Sequence, residues 1–500
     1  MQKIGKSLIL FVVFRMLLPV FLLSHSNEVS RADVAIFERG SNNQLIAAIE
    51  SIPNGTSLHI KDTPYAGIGN VRGNIAEVSR DNEGKTIIEV WALTGGGQPS
   101  DINELIRTLM TTLKPGDELV FHEGTYQRLL AIDNHAGGTA DKPIIIRGYG
   151  NGQARPVFHN NAPNTNTWEL RLNNIEISYI EFLQNPGGRI RIEGVRKGIV
   201  DRNGTTAGTG FVQHVGDRNI PNIAENIAFR DCVFRNQSSN AYTITTNNNG
   251  TEYNNLVIEN NMFVDATNSG LYIGQQDGLC PHHGITIKNN FFDYSGVVLA
   301  VGGSAIGYTI QTKRGVTGLV LENNIVISGQ GPGIFFYGGM PNYDLETTMH
   351  SYIRGNIFAG GRNAGILIGG GPITVEHNIV IGNNQNIRFH TGYDRYRFDN
   401  VWRGMYIRNN FTALARAGAA ANFSWTTEFA DSAWGPFQGE VNGNVVGEGS
   451  EALTKALAEL LKLRRKPKNF DALMEAINSH VSGERAFTET EVIDLFTNHL

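Results

Sequence analysis

Three side chains of the types used for proton transfer follow short apolar segments in the middle of the chain. They are Lys313, Tyr337 and His390. A neutral lysine or histidine removes a proton, and a tyrosine hydroxyl donates one. Arg314 follows Lys313 directly, and a neighbouring cation lowers the pKa of a lysine ammonium group. We therefore predict that Lys313, Tyr337 and His390 are catalytic.

Aromatic, amide and cationic side chains occupy equivalent positions in the neighbouring segments. Rings stack on sugars, amides bind hydroxyl groups and cations bind anionic groups, so this set suits an acidic polysaccharide. Elimination at a uronate residue needs a group that neutralises the carboxylate, a base for the C5 proton and an acid for the leaving oxygen. The residues predicted to bind substrate are Arg314, Arg388, Gln311, Tyr272, Gln276 and His214.

A repeat must position these residues. Segments such as LVIENNMF (256–263) and ITIKNNFF (285–292) recur, and their shared asparagine returns after 22 residues, from Asn356 to Asn378, up to 34 residues, from Asn290 to Asn324. Periods of this size with alternating apolar residues predict one solenoid coil per repeat. We expect the asparagines at a tight bend, with left-handed backbone and amides bonded along the axis. Their column is Ile180, Asn203, Cys232, Asn261, Asn290, Asn324, Asn356, Asn378, Asn410 and Asn444.

The variable spacing favours a parallel β-helix over a leucine-rich repeat or a β-propeller, because a β-helix places length variation in loops. Each coil has a second strand after the asparagine bend. Alternation along these strands turns Lys313 and Tyr337 outward on adjacent coils, with His390 two coils beyond Tyr337. We align the strands on inward residues Ile244, Ile273, Ile310, Phe336, Ile368 and Phe389.

The ends of the chain differ from this repeat. Residues 1–32 read as a signal peptide, with a retained membrane anchor as the alternative, and residues 33–95 are β-rich without the repeat. The β-helix is expected over 96–449, beginning with an amphipathic cap helix from Asp101 to Leu113. A helical region follows over 450–500, with a capping box at Thr488 and Glu491. The predicted fold class is all-β.

Composition excludes several classes of protein. The 500 residues include 58 glycines and only 18% charged residues, which favours a turn-rich β protein over a helical one. A net charge of −5 gives no basic footprint for nucleic acid. Cys232 and Cys280 are too few for a disulfide scaffold, and whether they pair stays open.

The order of cap helix, LKPGDELVFHEGTY (113–126), GTADKPIIIRGYG (138–150) and asparagine coils resembles secreted right-handed parallel β-helix proteins. Among these it looks most like polysaccharide lyases of the alginate lyase and chondroitinase B kind, over about residues 95–450. The resemblance implies a lysine base, an arginine acid one coil later and, in many members, calcium. Lys313 in IQTKRG matches the base. The next coil reads IFFYGG, so Tyr337 stands near the place of the arginine, which indicates another branch of lyase or a protein that is not a lyase.

These features predict a lyase that cleaves a uronate polysaccharide, most of all alginate, by β-elimination. A polyuronate C5-epimerase, a β-helix glycoside hydrolase and a non-catalytic carbohydrate-binding or adhesin protein are the alternatives. The hydrolase needs paired carboxylates, which the outward strands lack in sequence. We expect a secreted or periplasmic monomer with no nucleic-acid partner and no stable membrane association after signal removal, and leave calcium open.

Overall fold

The computed structural model describes most of the chain between residues 35 and 500. The described ranges are 35–38, 42–61, 76–92, 99–127, 129–133, 137–160, 168–184, 190–192, 222–236, 242–246, 251–264, 269–274, 281–295, 307–338, 344–389, 402–424 and 438–500. The predicted signal peptide lies outside them. Within them, no helix combines the length and apolar composition needed to cross a bilayer.

Parallel strands from successive coils stack into three long sheets, and apolar side chains of all three fill the interior. The described residues contribute 17 strands to the first sheet, 11 to the second and 10 to the third. This is a right-handed parallel β-helix with helices near both ends, so the predicted fold class is confirmed.

The strands have the following bounds. The first sheet contains Ala35–Glu38, Thr56–Lys61, Ala76–Arg80, Thr86–Val90, Glu118–Phe121, Ile144–Gly148, Ile175–Ser178, Asn222–Arg230, Thr251–Glu259, His282–His283, Thr286–Lys288, Val316–Thr317, Val320–Glu322, Ser351–Arg354, Ile373–Glu376, Arg403–Arg408 and Gln438–Asn442. The second contains Thr125–Gln127, Val157–Asn160, Glu181–Gln184, Val233–Asn236, Met262–Val264, Phe291–Asp293, Ile325–Ile327, Ile357–Ala359, Ile379–Ile381, Phe411–Ala413 and Val445–Val446. The third contains Leu129–Asp133, Trp168–Arg171, Ile190–Ile192, Tyr242–Thr245, Ser269–Ile273, Ile310–Thr312, Ile334–Phe336, Ala364–Ile368, Gln385–Phe389 and Phe423–Ser424.

The N-terminal segment continues the first sheet. Its strands Thr56–Lys61, Ala76–Arg80 and Thr86–Val90 pair antiparallel, and the last of them pairs parallel with Glu118–Phe121. Helix α1 (Asn42–Glu50) was not predicted from the sequence. Helix α2 (Pro99–Met110) is the predicted cap, and it begins two residues before Asp101, the expected cap residue. One stripe of this region is buried: Leu105, Ile106, Leu109, Met110 and Leu113.

The asparagine column forms a buried ladder along the axis. The side-chain oxygen of Asn324 accepts from the backbone N–H of Asn290 at 2.9 Å, and the side-chain amide of Asn324 donates to the Asn356 oxygen at 2.9 Å. The left-handed expectation was wrong by one residue, because the positive φ angles belong to the residue before each rung, such as Asn289 at 58° and Asn323 at 57°. The rung asparagines themselves, such as Asn290 and Asn324, are fully buried.

The coil predicted around Asn203 does not separate Ile180 from Cys232. Asn203 lies outside the described residues, and strand Glu181–Gln184 pairs directly with Val233–Asn236. No coil of the second sheet therefore lies between these two strands. The Cys232 thiol is buried and free, and Cys280 is outside the described ranges.

Three C-terminal helices cover the outward face of the second sheet: α3 (Glu451–Leu460), α4 (Phe470–Val481) and α5 (Glu489–His499). Their apolar side chains form one cluster with outward residues of the sheet, which include Phe291, Ile325, Ile357, Ile379 and Phe411. The predicted capping box of Thr488 and Glu491 is present. Between α3 and α4, Lys466 bonds to Asn260, so this basic segment also contacts the β-helix.

The outward face of the first sheet carries a column of alternating charge. Its members are Arg230, Glu259, Lys288, Glu322, Arg354, Glu376 and Arg408. Lys288 lies 3.5 Å from Glu322, and Arg408 lies 2.8 Å from Glu376. Opposite charges directly across neighbouring strands stabilise the stacking register by small amounts.

Candidate active site

The third sheet positions the predicted catalytic residues. Its strand register places Gln311 beside Tyr272 on one side and Phe335 on the other. One residue past these strands, Lys313 and Tyr337 follow in the same order, so they lie on adjacent coils as predicted. The inward alignment needs one correction, because Ile310 pairs with Leu271 and Ile334, whereas Ile273 pairs with Thr312. Leu271, Ile310 and Ile334 form one inward column, and Ile273, Thr312 and Phe336 form a second column two residues further along each strand. Because side chains alternate along a strand, a shift of two residues leaves the same residues facing outward.

Lys313 and Tyr337 are in direct contact. The Lys313 Nζ atom donates to the Tyr337 hydroxyl oxygen at 3.2 Å and lies 4.4 Å from the centroid of the Tyr337 ring. The same ammonium group is 5.3 Å from the Tyr272 ring centroid. Gln311 Nε2 also donates to the Tyr337 hydroxyl oxygen, at 3.4 Å. An amine, a phenol and an amide therefore share one hydrogen-bonded group.

Lys313 is buried, with 7% of its surface exposed. Burial and, as a smaller cause, the charge of the adjacent Arg314 together lower the pKa of its ammonium group to about 8. The sequence predicted a lowered pKa from Arg314, but the larger cause is desolvation, which disfavours the charged form. A lysine with this pKa holds a substantial neutral fraction near neutral pH and is suited to act as a base.

The Tyr337 ring is held by its own strand and by the next coil. It stacks on the Phe335 ring with centroids 3.9 Å apart, and Phe335 belongs to an outward apolar cluster with Tyr308 and Leu367. Gly369 passes close beneath on the next coil, where a Cβ atom would come 3.2 Å from the Tyr337 backbone oxygen. A larger residue there would push against the tyrosine, so Gly369 keeps room for it.

A buried hydrogen-bonded group of Thr246, Gly274 and His282 lies near Lys313 and was not predicted from the sequence. The Thr246 hydroxyl accepts from the Gly274 N–H at 2.8 Å and bonds to His282 Nε2 at 3.1 Å. Gly274 has a φ of 97°, and a Cβ atom on it would lie 3.1 Å from the Lys313 Cβ atom. The signal for it was weak, since a lone threonine, glycine and histidine in separate coils show no common pattern until the coils are stacked.

The other predicted site residues fall into two groups. Arg314 is half-buried beside Lys313, and Arg388 follows Leu367 in the outward column, two coils from Phe335, a separation of about 10 Å. The Arg388 Nε atom is buried and has no hydrogen-bond partner among the described residues. Gln311 bonds to the Tyr337 hydroxyl, and the Tyr272 ring lies 5.3 Å from the Lys313 ammonium group. The remaining three, His390, Gln276 and His214, lie outside the described residues.

No metal site emerges from the part of the chain that the structure describes, where no group of three or more His, Cys, Asp or Glu side chains is placed to hold an ion. Among the described residues, Arg314 adds positive charge beside the Lys313 amine. These side chains bind anions rather than a cation such as calcium, which prefers carboxylate and carbonyl oxygens.

Residues 253–411 match the family model described as the right handed beta helix region. No curated protein matches the chain. Among solved structures, the A-module of the Azotobacter vinelandii mannuronan C-5 epimerase AlgE4 is 13% identical with a TM-score of 0.41, covering 67% of this chain and 80% of that one. A rhamnogalacturonan lyase is 12% identical with a TM-score of 0.45, covering 69% and 84%. The alginate lyase AlyGC is 13% identical with a TM-score of 0.38, covering 73% and 50%. These likenesses concern the fold.

Proposed function

We propose that this protein is a polysaccharide lyase that cleaves a uronate-containing chain, with alginate as the first substrate to test. The observation that carries the proposal is the contact between the buried Lys313 amine and the Tyr337 hydroxyl. One group is suited to remove a proton and the other to donate one. Both lie on the outward strip, the surface of the third sheet that also carries Tyr272, Gln311 and Arg388. Elimination at a uronate needs these two groups together with a cation for the carboxylate.

In the proposed reaction the neutral Lys313 amine removes the proton from C5 of a uronate residue. The electron pair of that C–H bond forms the C4=C5 double bond as the C4–O glycosidic bond breaks. Tyr337 donates its proton to the leaving oxygen. Arg314 is proposed to pair with the substrate carboxylate, because neutralising that charge makes the C5 proton easier to remove.

The remaining strip is proposed to hold sugars on either side of the cleaved bond. An extended chain along the β-helix axis crosses successive coils, which are about 4.8 Å apart. Tyr272 offers a ring face at one end. Arg388, with a buried Nε atom that lacks a partner among the described residues, offers a cation for a carboxylate two coils away.

Two variants test this function. Lys313→Met keeps the length of the side chain without the amine, and Tyr337→Phe keeps the ring stacked on Phe335 without the hydroxyl. Each should lower the rate of unsaturated product formation from alginate by about 10²–10⁴-fold, the usual contribution of a general acid or base. The unsaturated uronate is measured by its ultraviolet absorbance and by product mass.

The matched control is Lys288→Met, which makes the same change on the outward face of the first sheet and should leave the rate unchanged. Full activity in Lys313→Met would remove the lysine from the reaction. Wild-type protein that forms no unsaturated product from alginate, pectate, glucuronan or chondroitin would contradict the lyase proposal. Saturated fragments would indicate a hydrolase, and binding without any product would indicate a carbohydrate-binding protein.

Export is also part of the proposal, because a polymer of this size is met outside the cytoplasm. Residues 1–32 are proposed to direct secretion or periplasmic delivery and then to be removed. Expression of the full chain, followed by N-terminal sequencing of the mature protein in each cell fraction, tests this. Retention of Met1 in a cytoplasmic fraction would contradict it.

A further inference from the structure

The two described proton-transfer groups of the site, Lys313 and Tyr337, approach a substrate from the same side. Lys313 and Tyr337 both project from the outward face of the third sheet, on adjacent coils, and 3.2 Å separates the Lys313 Nζ and Tyr337 hydroxyl oxygen atoms. A sugar ring that contacts this strip presents one of its faces to both groups. The base and the acid therefore act on the same face of the ring.

We propose that the protein performs same-face elimination, and that it selects uronate residues whose C5 hydrogen and C4 oxygen project from the same face of the ring. Mannuronate and glucuronate residues have this configuration. In guluronate, iduronate and galacturonate residues the two groups project from opposite faces, out of reach of two atoms in mutual contact. This inference rests on the proposed function and adds the class of substrate.

The orientation of the Tyr337 hydroxyl supports its role as the acid. Its oxygen accepts from Lys313 at 3.2 Å and from Gln311 at 3.4 Å. A phenol has two acceptor positions and one hydrogen, so these two donors direct the hydrogen away from both of them. In the proposed reaction this hydrogen goes to the leaving oxygen. Gln311 is thus a positioning residue.

The same contact restores both groups after each cleavage. Lys313 ends the step as an ammonium group that holds the C5 proton, and Tyr337 ends it as a phenolate that has given its proton to the leaving oxygen. Transfer of one proton from Lys313 to Tyr337 along their hydrogen bond returns the amine and the phenol. The balance is one C4–O bond broken, one C4=C5 double bond formed and one proton moved from C5 to the leaving oxygen, with no co-reactant.

Matched polymers test the configuration directly. Polymannuronate and polyguluronate differ only at C5, and glucuronan and polygalacturonate differ at C4 and in the anomeric configuration at C1. The expected result is unsaturated product at least about tenfold faster from polymannuronate or glucuronan than from its paired polymer, a ratio equivalent to about 1.4 kcal/mol. Faster cleavage of polyguluronate or polygalacturonate overturns same-face elimination and leaves the lyase function standing. No unsaturated product from any of the four overturns the proposed function and this inference with it.

A second measurement separates the acid from the base. In deuterated water, Tyr337→Phe retains the Lys313 base and should exchange the C5 hydrogen of polymannuronate while cleavage falls. Deuterium should enter with the mannuronate configuration kept, because removal and return occur on one face. Lys313→Met should lose both exchange and cleavage. Formation of deuterated guluronate would place a donor on the opposite face and overturn the inference in favour of epimerisation.

Discussion

The outward faces of the second and third sheets come from the same coils and carry different side chains. Outward positions of the second sheet hold Phe291, Ile325, Ile357 and Ile379 in one column, and the C-terminal helices bury them. The corresponding column of the third sheet places Gln311 between Tyr272 and Phe335, and Arg388 further along. One face contributes apolar area, whereas the other brings a polar group next to aromatic rings.

This difference shows that inward and outward residues of a repeat fold serve different purposes. Inward residues and the asparagine ladder define the coil for all three sheets, so outward residues are free to vary. Apolar outward columns are stable only when covered, and burial under helices supplies stability. A buried lysine on the other face costs stability, because desolvation opposes its charged form. Truncation of the covered apolar column is therefore expected to lower stability without changing the chemistry, whereas removal of the buried lysine should raise stability and abolish the chemistry.

The largest effect on stability is expected on the second sheet side. Leu453 in α3 is fully buried in the cluster between helices and sheet. Leu453→Ala should lower the free energy of unfolding by about 2–5 kcal/mol, because it leaves a cavity. Thermal or denaturant unfolding measures the change, with exposed Lys455→Ala on the same helix as the control, expected within about 0.5 kcal/mol of wild type. A matching loss of lyase rate in folded Leu453→Ala protein would break the separation of the two faces.

A mutation on the third sheet is expected to change the free energy of unfolding in the opposite direction. Lys313→Met should raise the free energy of unfolding by on the order of 2 kcal/mol at neutral pH, because the folded state no longer holds a buried ammonium group. The lysine pKa is about 8 folded and 10.5 as a free side chain, so the folded form binds protons less tightly. The gain should be full below pH 8 and shrink as the pH approaches 10.5. Denaturant unfolding across this range measures it, and a loss of stability at neutral pH would show that the lysine contacts outweigh its desolvation.

The pH dependence of the rate tests the same lysine in its chemical role. The neutral amine is the working form, so the rate on a cleavable uronan should rise with pH and level off above about pH 8. Below that value it should change by about tenfold per pH unit, since each unit changes the neutral fraction by that factor. Steady-state rates in buffers of constant ionic strength provide the profile. A rate that falls from pH 6 to pH 8 would assign the working form to the ammonium group.

The smallest effect is expected on the first sheet, where Lys288 pairs with Glu322 in the charged column at 3.5 Å. Its side chain is 36% exposed, and Glu322 also contacts Arg354. Lys288→Met should change the free energy of unfolding by less than about 1 kcal/mol, as expected for exposed ion pairs. Unfolding at low and high salt checks this, because screening should reduce the difference further. A change larger than that of Leu453→Ala would contradict the ranking of the faces.

The sequence by itself determined the coil. The alternation of apolar residues follows from strand geometry and the asparagine spacing from the coil length, so the fold class, the ladder and the adjacent placement of Lys313 and Tyr337 were predictable. The left-handed position was misplaced by one residue, because Asn289 and Asn290 are chemically alike and only their backbone angles separate them. The coil at Asn203 was wrong, since a motif does not show whether its flanking strands pair directly.

Only the tertiary structure decided the chemistry of the strip. The burial of Lys313, its lowered pKa and its contact with the Tyr337 hydroxyl depend on side chains from several coils, which are distant in the sequence. The hydrogen-bonded group of Thr246, Gly274 and His282 near the lysine has the same origin. A local pattern fixes which way a residue points, because strand geometry is local. The environment it points into is set by stacking, which no single segment contains.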